Sequence, residues 1–181
     1  MTEFRRVLFR SAGDETSLGS YLPKVTYGFN LSLSYLNFDV SVACQGVWGN
    51  KILNLNRGEF LKAQTAPNLD EKFMGRLWTG PGSTNTYPSA YALSQGWNKE
   101  DGGNSFFVES GAYLRVQNIQ LGYNFKIGTT TPVGLRVFAT ADRPLLFTKY
   151  SGFTPEINGL GYDNQVYPVT ATYSLGVRAT F

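Results

Sequence analysis

From Val25 to Tyr35, side chains of two kinds alternate without a break. Val25, Tyr27, Phe29, Leu31, Leu33 and Tyr35 are apolar, and Thr26, Gly28, Asn30, Ser32 and Ser34 are polar or small. A period of two over this length gives one extended segment two chemically different faces, which is a strand and not a helix. The pattern returns four times. Phe38, Val40, Val42, Cys44 and Trp48 oppose Asp39, Ser41, Ala43 and Gln45. Ile119, Leu121, Tyr123 and Phe125 oppose Asn118, Gln120, Gly122 and Asn124. Leu135, Val137, Ala139 and Ala141 oppose Arg136 and Thr140, with Phe138 breaking the polar side. Finally, Val169, Ala171, Tyr173, Leu175, Val177, Ala179 and Phe181 alternate with Thr170, Thr172, Ser174, Gly176, Arg178 and Thr180. The expected class is all-β, with antiparallel strands at about 24–35, 38–52, 113–125, 134–149 and 169–181. Pro144 has no N–H to give a ladder and predicts a bulge in the fourth.

Strands of this length exceed the usual 5–6 residues and match the roughly 9–11 that a tilted strand needs to cross a bilayer. Their connections alternate in length: a two-residue turn at Leu36-Asn37, a long segment, a short one, then another long one. Short turns at one end and long loops at the other are the pattern of an outer-membrane barrel, with the short turns periplasmic and loops at about 53–112 and 150–168 external. Apolar parities would then face lipid and polar parities the lumen. Asp39, Arg136 and Arg178 obey that rule. Arg115 shares the parity of Ile119 and is placed at the outer rim, above the hydrocarbon. The longest apolar run, Ala90–Leu93, is four residues, so no helix of this sequence crosses a membrane.

Composition removes several chemistries. The chain has no His, which excludes imidazole ligands and His-based triads, and its one Cys excludes an internal disulfide or a zinc finger. Cys44 shares the apolar parity and reads as a small hydrophobe. The net charge of +3 owes much to Arg5, Arg6 and Arg10 in residues 1–11, a stretch that reads as a non-native or disordered tail. Without it the chain carries +1, and no nucleic-acid motif or phosphate loop is present.

The long loops hold the candidate contacts. Asn54–Ala63 is expected to form a short helix. Trp78, Tyr87, Tyr91 and Trp97, with Tyr150 and Phe153, are the aromatic residues placed to touch a ligand or a partner lid; alternatively they pack the loops on themselves. The run Lys99–Asn104 lacks the alternating oxygen ligands of a calcium loop and reads as a solvated turn. Glu109, Glu156 and Asp163 are isolated carboxylates with no argument for a catalytic pair, so no catalytic, metal or cofactor site is expected.

Several segments resemble one family in order along the chain. Residues Tyr113-Leu114-Arg115-Val116-Gln117-Asn118-Ile119-Gln120-Leu121-Gly122-Tyr123 resemble a strand near the C-terminus of SusC/RagA-type TonB-linked outer-membrane proteins. Leu77-Trp78-Thr79-Gly80-Pro81-Gly82-Ser83-Thr84-Asn85 and Phe147-Thr148-Lys149-Tyr150-Ser151-Gly152-Phe153-Thr154-Pro155-Glu156 are similar to two of their loops. Tyr167-Pro168, the terminal run Tyr173–Phe181 and the hairpin at Phe38-Asp39 and Gly46–Ile52 also match, over roughly residues 13–181. Arg143-Pro144 departs from the family pattern.

The resemblance implies the last five strands of a barrel of about 22 strands that surrounds a plug. It implies uptake of oligosaccharides or peptides across the outer membrane of Bacteroidota, under a SusD-like surface lipoprotein and driven by the TonB complex. Tyr173, Leu175, Val177 and Phe181 would be the C-terminal signal read by the barrel-assembly machinery. Two other classes compete: a secreted carbohydrate-binding β-sandwich using Trp78 and Trp97, and a β-scaffold enzyme using Glu109 or Glu156.

Overall fold

A computed structural model describes residues 17–59, 71, 75–84, 86–89, 91–92, 105–127, 133–157, 159–164 and 166–180. The tail 1–11, Trp97, most of the Lys99–Asn104 surroundings and Phe181 lie outside the described residues. The chain divides into a strand unit (Pro23–Gly49, Ala112–Lys149, Pro168–Phe181) and a loop unit (Met1–Leu22, Asn50–Gly111, Tyr150–Tyr167).

The strand unit is one antiparallel sheet of five strands. They are β1 (Val25–Tyr35), β2 (Phe38–Trp48), β5 (Tyr113–Ile127), β6 (Val133–Thr148) and β8 (Thr172–Thr180), hydrogen-bonded in that order. The β1–β2 register is unbroken from Val25↔Trp48 to Tyr35↔Phe38. Its tight turn puts Leu36 in the left-handed region at φ +53°, and Asn124 N–H donates to the Asn37 carbonyl at 2.9 Å, tying the turn to β5.

Register decides which residues share a face, and here it corrects the expected parity of Arg115. Cys44 and Ala43 pair with Val116 and Asn118, leaving Gln117 as an extra residue in β5. A bulge of one residue exchanges the faces of everything on its far side. Leu114 and Val116 therefore join Ile119, Leu121, Tyr123 and Phe125 on the apolar face. Arg115 pairs with Gln45 on the polar face and is buried there, and does not share the parity of Ile119. On β6, the irregularity comes at Arg143 (φ +53°) and Pro144, so Leu145 and Phe147 rejoin the apolar face opposite Val116 and Leu114.

Two expected strand limits also change. The run 38–52 is not one strand. β2 stops at Trp48, where Gly49 adopts φ +88°, and Lys51–Asn54 pairs elsewhere as β3. A side chain at Gly49 would be strained by that backbone and would press on Lys24. β8 begins at Thr172 and not at Val169. Its ladder to β6 ends at Asp142↔Thr172, just where Arg143 turns left-handed and Pro144 lacks a donor.

Aromatic rings cover glycines on both faces. The Tyr27 ring crosses β2 at Gly46 and its hydroxyl donates to the Tyr113 carbonyl at 3.0 Å. A Cβ at Gly46 would meet both that carbonyl and the ring. Overpacking against backbone costs about 1–3 kcal/mol. Gly46→Ala is therefore expected to lower the urea midpoint of the intact protein, and Tyr27→Phe to lower it less, since the ring stays. Equal midpoints for wild type and Gly46→Ala would refute the contact. On the polar face the Phe138 ring lies over Gly176, which explains the apolar residue at that position.

The loop unit is built on a small sheet in the order β4 (Val108–Ser110), β3 (Lys51–Asn54), β7 (Tyr162–Asp163). β3 pairs antiparallel with β4 and parallel with β7. The helix α1 (Leu55–Glu59) follows β3 directly, inside the expected 54–63 span; residues 60–63 lie outside the described set. Asn54 caps it, its Oδ1 accepting the Arg57 N–H at 3.1 Å. Ile52, Phe107, Tyr87 and Tyr150 form the buried apolar part of this unit.

Candidate functional site

The polar chemistry of the loop unit converges on two carboxylates from distant parts of the chain. Glu109, on β4, accepts from Asn54 Nδ2 (3.0 Å), Ser151 N (3.0 Å) and Ser151 Oγ (2.7 Å). Arg57 adds its charge at 3.8 Å. The same guanidinium donates to the Phe106 carbonyl at 2.8 Å and lies 3.8 Å from the centre of the Phe106 ring. Asp163, on β7, accepts from Asn56 Nδ2 at 2.9 Å, from Val166 N–H at 3.3 Å and from the Tyr150 hydroxyl. It is 1% exposed.

Every oxygen of these two groups is occupied by a donor of the unit itself. Carboxylates saturated in this way fix the geometry of the segments that donate to them. Together they fasten Asn54–Arg57 and Phe106–Glu109 to Tyr150, Ser151 and Val166, so these loops are tied by side chains more than by regular structure. Burial first, then the hydrogen bond to Asp163 and the nearby negative charges, push the Tyr150 phenol well above its usual range. The phenol remains a donor at every physiological pH. Among the described residues, no group of three His, Cys, Asp or Glu side chains could hold a metal ion.

The sequence-predicted aromatic residues divide by exposure. Tyr87 is buried, packs edge-on against Phe106 at 6.0 Å, and its carbonyl accepts the Trp78 N–H at 3.1 Å. Tyr150 is buried on Asp163. Both rings are thus spent inside the unit. Tyr91 and Phe153 are exposed, Trp78 is partly exposed, and Trp97 lies outside the described residues. The Thr79–Ser83 turn beside Trp78 closes through Ser83, whose N–H and hydroxyl both donate to the Gly80 carbonyl. On β8, Tyr173, Leu175 and Val177 project from one face and are exposed.

Sequence reasoning missed the partners of the carboxylates: Asn54, Asn56, Arg57 and Ser151. Only Asn54 carried a readable signal, an Asn immediately ahead of a helical segment. Asn56 and Asp163 are 107 residues apart, and nothing local links them.

No protein-family model matches the chain. Curated relatives do. The chain is 33% identical over 94% of its length to a TonB-dependent receptor of Formosa agariphila, and 30% identical over 87% of its length to the TonB-dependent receptor SusC of Bacteroides thetaiotaomicron. It spans only 18% and 15% of those two proteins. Among solved structures, the RagAB peptide importer in its open-open state superposes with a TM-score of 0.73 at 24% identity, over 96% of this chain and 19% of that one. A structure of the RagAB peptide transporter gives 0.70 at 25% identity, with the same coverage. These relatives are receptors and transporters, not enzymes. The antiparallel sheet and the resemblance to SusC/RagA-type receptors agree with these matches.

Proposed function

We propose that this relative of the SusC/RagA-type TonB-dependent receptors supplies a section of barrel wall and of external mouth loops to an outer-membrane nutrient importer. The observation that carries the reading is the two-faced sheet. One face runs through Tyr27, Phe29, Leu31 and Leu33 on β1 and Tyr173, Leu175 and Val177 on β8, all exposed. The other carries Ser32, Ser41, Gln120, Thr140 and Ser174 in one cross-strand row.

The apolar face also has the right height. Phe38, Tyr123 and Phe125 stack edge to face at the turn end, with centroids 4.5 Å apart, and Trp48 and Phe147 lie at the other end. Ten residue steps lead from Phe38 to Trp48. At about 3.3 Å per residue and a tilt near 40°, that is about 25 Å of membrane-normal height, the apolar band of an outer-membrane barrel. Aromatic girdles at both ends are expected there.

In this reading the sheet is the last five strands of a barrel of about 22 strands, whose interior is plugged. β1 and β8 are edges of the described sheet, and unpaired edges in hydrocarbon cost several kcal/mol per group, so both would continue into further wall. The Leu36-Asn37 turn is periplasmic and the loop unit external. A SusD-like lipoprotein lids the mouth, the TonB complex supplies energy through parts outside this chain, and the cargo is an oligosaccharide or peptide. Of the aromatics singled out in the sequence, Tyr91 and Phe153 are exposed and open to cargo or lid. Tyr173, Leu175 and Val177, with Phe181, form the signal for the barrel-assembly machinery. A secreted sandwich would instead cover the apolar face with a second sheet.

Cell fractionation tests this. The intact protein is expected in the outer-membrane fraction, resistant to carbonate extraction, and residues 12–181 alone are expected to aggregate or to require detergent. Recovery of that segment as a soluble monomer with a cooperative melt would overturn the proposal.

A further inference from the structure

Arg143 breaks the apolar side of the sheet. From Arg143 to Phe147 exposure alternates along β6: Arg143, Leu145 and Phe147 are exposed, and Pro144 and Leu146 are half-buried. Arg143 therefore follows the apolar face, where a charge deep in a bilayer is costly. It also takes φ +53°, uncommon for a residue with a Cβ. Two residues of β6, Arg143 and Pro144, stand opposite one of β5, Gln117, and bulges of this kind re-aim side chains. The strand unit holds two carboxylates, and both are spent on the polar face, Asp39 on Arg136 and Asp142 on Asn118. The Arg143 guanidinium has no ion-pair or hydrogen-bond partner among the described residues. The Arg143-Pro144 pair also departs from the SusC/RagA pattern, so it belongs to this chain and not to the family at large.

The sheet is notched beside it. β8 starts at Thr172, opposite Asp142, so above that level β6 is paired on the β5 side alone among the described residues. Tyr173, opposite Ala141, flanks the notch from β8, and Leu145 and Phe147 flank it from β6, all three exposed. Lys149, exposed two residues past Phe147, stands at its upper end. Phe147 is four residues above Arg143, about 10 Å at 3.3 Å per residue and a tilt near 40°. An arginine at that depth carries its guanidinium up toward the interface along its own stem.

We propose that Arg143 from below and Lys149 from above hold the phosphate of a glycolipid of the outer leaflet, its acyl chains laid on Leu145, Phe147 and Tyr173. The inference rests on the apolar face meeting lipid and on the loop unit being external, which together put upper β6 in the outer leaflet. Charge complementarity selects the occupant. Two cations stand on a face without a carboxylate, and a guanidinium presents a planar fork that matches phosphate. A cation beside hydrocarbon needs an anion that is itself held at the interface. An anionic lipid headgroup meets that need and brings apolar chains for the rest of the notch. The bulge then aims Arg143 at the headgroup, which gives the unusual backbone a use.

The test melts the intact protein, purified in detergent and stripped of lipid, against three additions: lipopolysaccharide, the same glycolipid dephosphorylated, and inorganic phosphate. Only the phosphorylated glycolipid is expected to raise the Tm of the wild type. In Arg143→Gln the concentration giving half of that gain should rise about tenfold, from the loss of one charge-assisted contact. Arg143→Lys should retain part of the affinity, and Lys149→Gln should lose less. Without lipid, Arg143→Gln should melt with the wild type. A half-saturating concentration unchanged in both Arg143→Gln and Lys149→Gln overturns the proposal. So does an equal gain from the dephosphorylated glycolipid. A Tm already lowered in Arg143→Gln before lipid is added assigns the arginine to a protein carboxylate and also overturns it. An equal gain from inorganic phosphate assigns the site to the free ion, again against the proposal. Failure of the barrel reading would show independently, as absence of the wild-type protein from the outer-membrane fraction.

Discussion

Asp163→Ala is expected to open the loop unit without unfolding the sheet. The substitution leaves three donors without their acceptor: Asn56 Nδ2, the Val166 N–H and the Tyr150 hydroxyl. Losing this acceptor costs up to about 1–3 kcal/mol per donor, and the losses overlap because the donors share one carboxylate. A net local loss of about 3 kcal/mol corresponds to roughly a hundredfold more frequent opening. Hydrogen exchange read by mass spectrometry on the intact protein should show that loss of protection in peptides spanning 51–57 and 162–166. Peptides from β5 and β6 should exchange as in the wild type. A uniform change across both units, or none, would show that Asp163 is not the fastener.

The same pair supplies an alkaline signature. Because the folded unit holds Tyr150 protonated above its ordinary range, stability is complete below about pH 10, the unfolded value, and declines as pH rises from there toward the folded one. Tyr150→Phe should flatten that decline, at the expense of the bond to Asp163.

Much of the strand unit was legible from alternation, because each strand there has one apolar and one polar face and the period of two is written residue by residue. What escaped is what depends on a neighbouring strand. The bulge at Gln117 is defined by the Cys44 and Ala43 pairings, and its trace in the sequence was a charge, Arg115, on an apolar parity. Phe138 breaks the polar side of β6 because Gly176 lies beneath its ring on β8. The β8 start was set by Arg143 and Pro144 on β6 and not by the clean alternation from Val169. In the loop unit the difficulty is greater. Glu109 reaches Asn54 and Ser151, 55 and 42 residues away, through side chains that carry no periodic pattern. Aromatic content there pointed to surfaces for recognition, yet Tyr87 and Tyr150 serve as packing while Tyr91 and Phe153 remain outside.

Placing an arginine on each side of one strand should separate the two faces by outcome. Ile119 pairs with Val42 and Ala141, near the middle of the apolar band, and Gln120, the next residue, points to the polar face beside Ser41 and Thr140. If the apolar face meets lipid, Ile119→Arg puts a charge close to the bilayer midplane at a cost of about 2–4 kcal/mol. Gln120→Arg places the same charge in water, within a row of hydroxyls and amides that can hydrogen-bond it. The expected results are a severe loss of folded, heat-modifiable protein in the outer membrane for Ile119→Arg and near-normal levels for Gln120→Arg. Two adjacent positions share local backbone, register and expression context, so the contrast isolates the environment of each face. If instead the apolar face packs on another protein layer, Ile119→Leu should already perturb the fold, because a close-packed core responds to shape. Lipid chains conform to either side chain, and Ile119→Leu is then expected to be silent. Equal tolerance of arginine at both positions would remove the membrane from the account altogether.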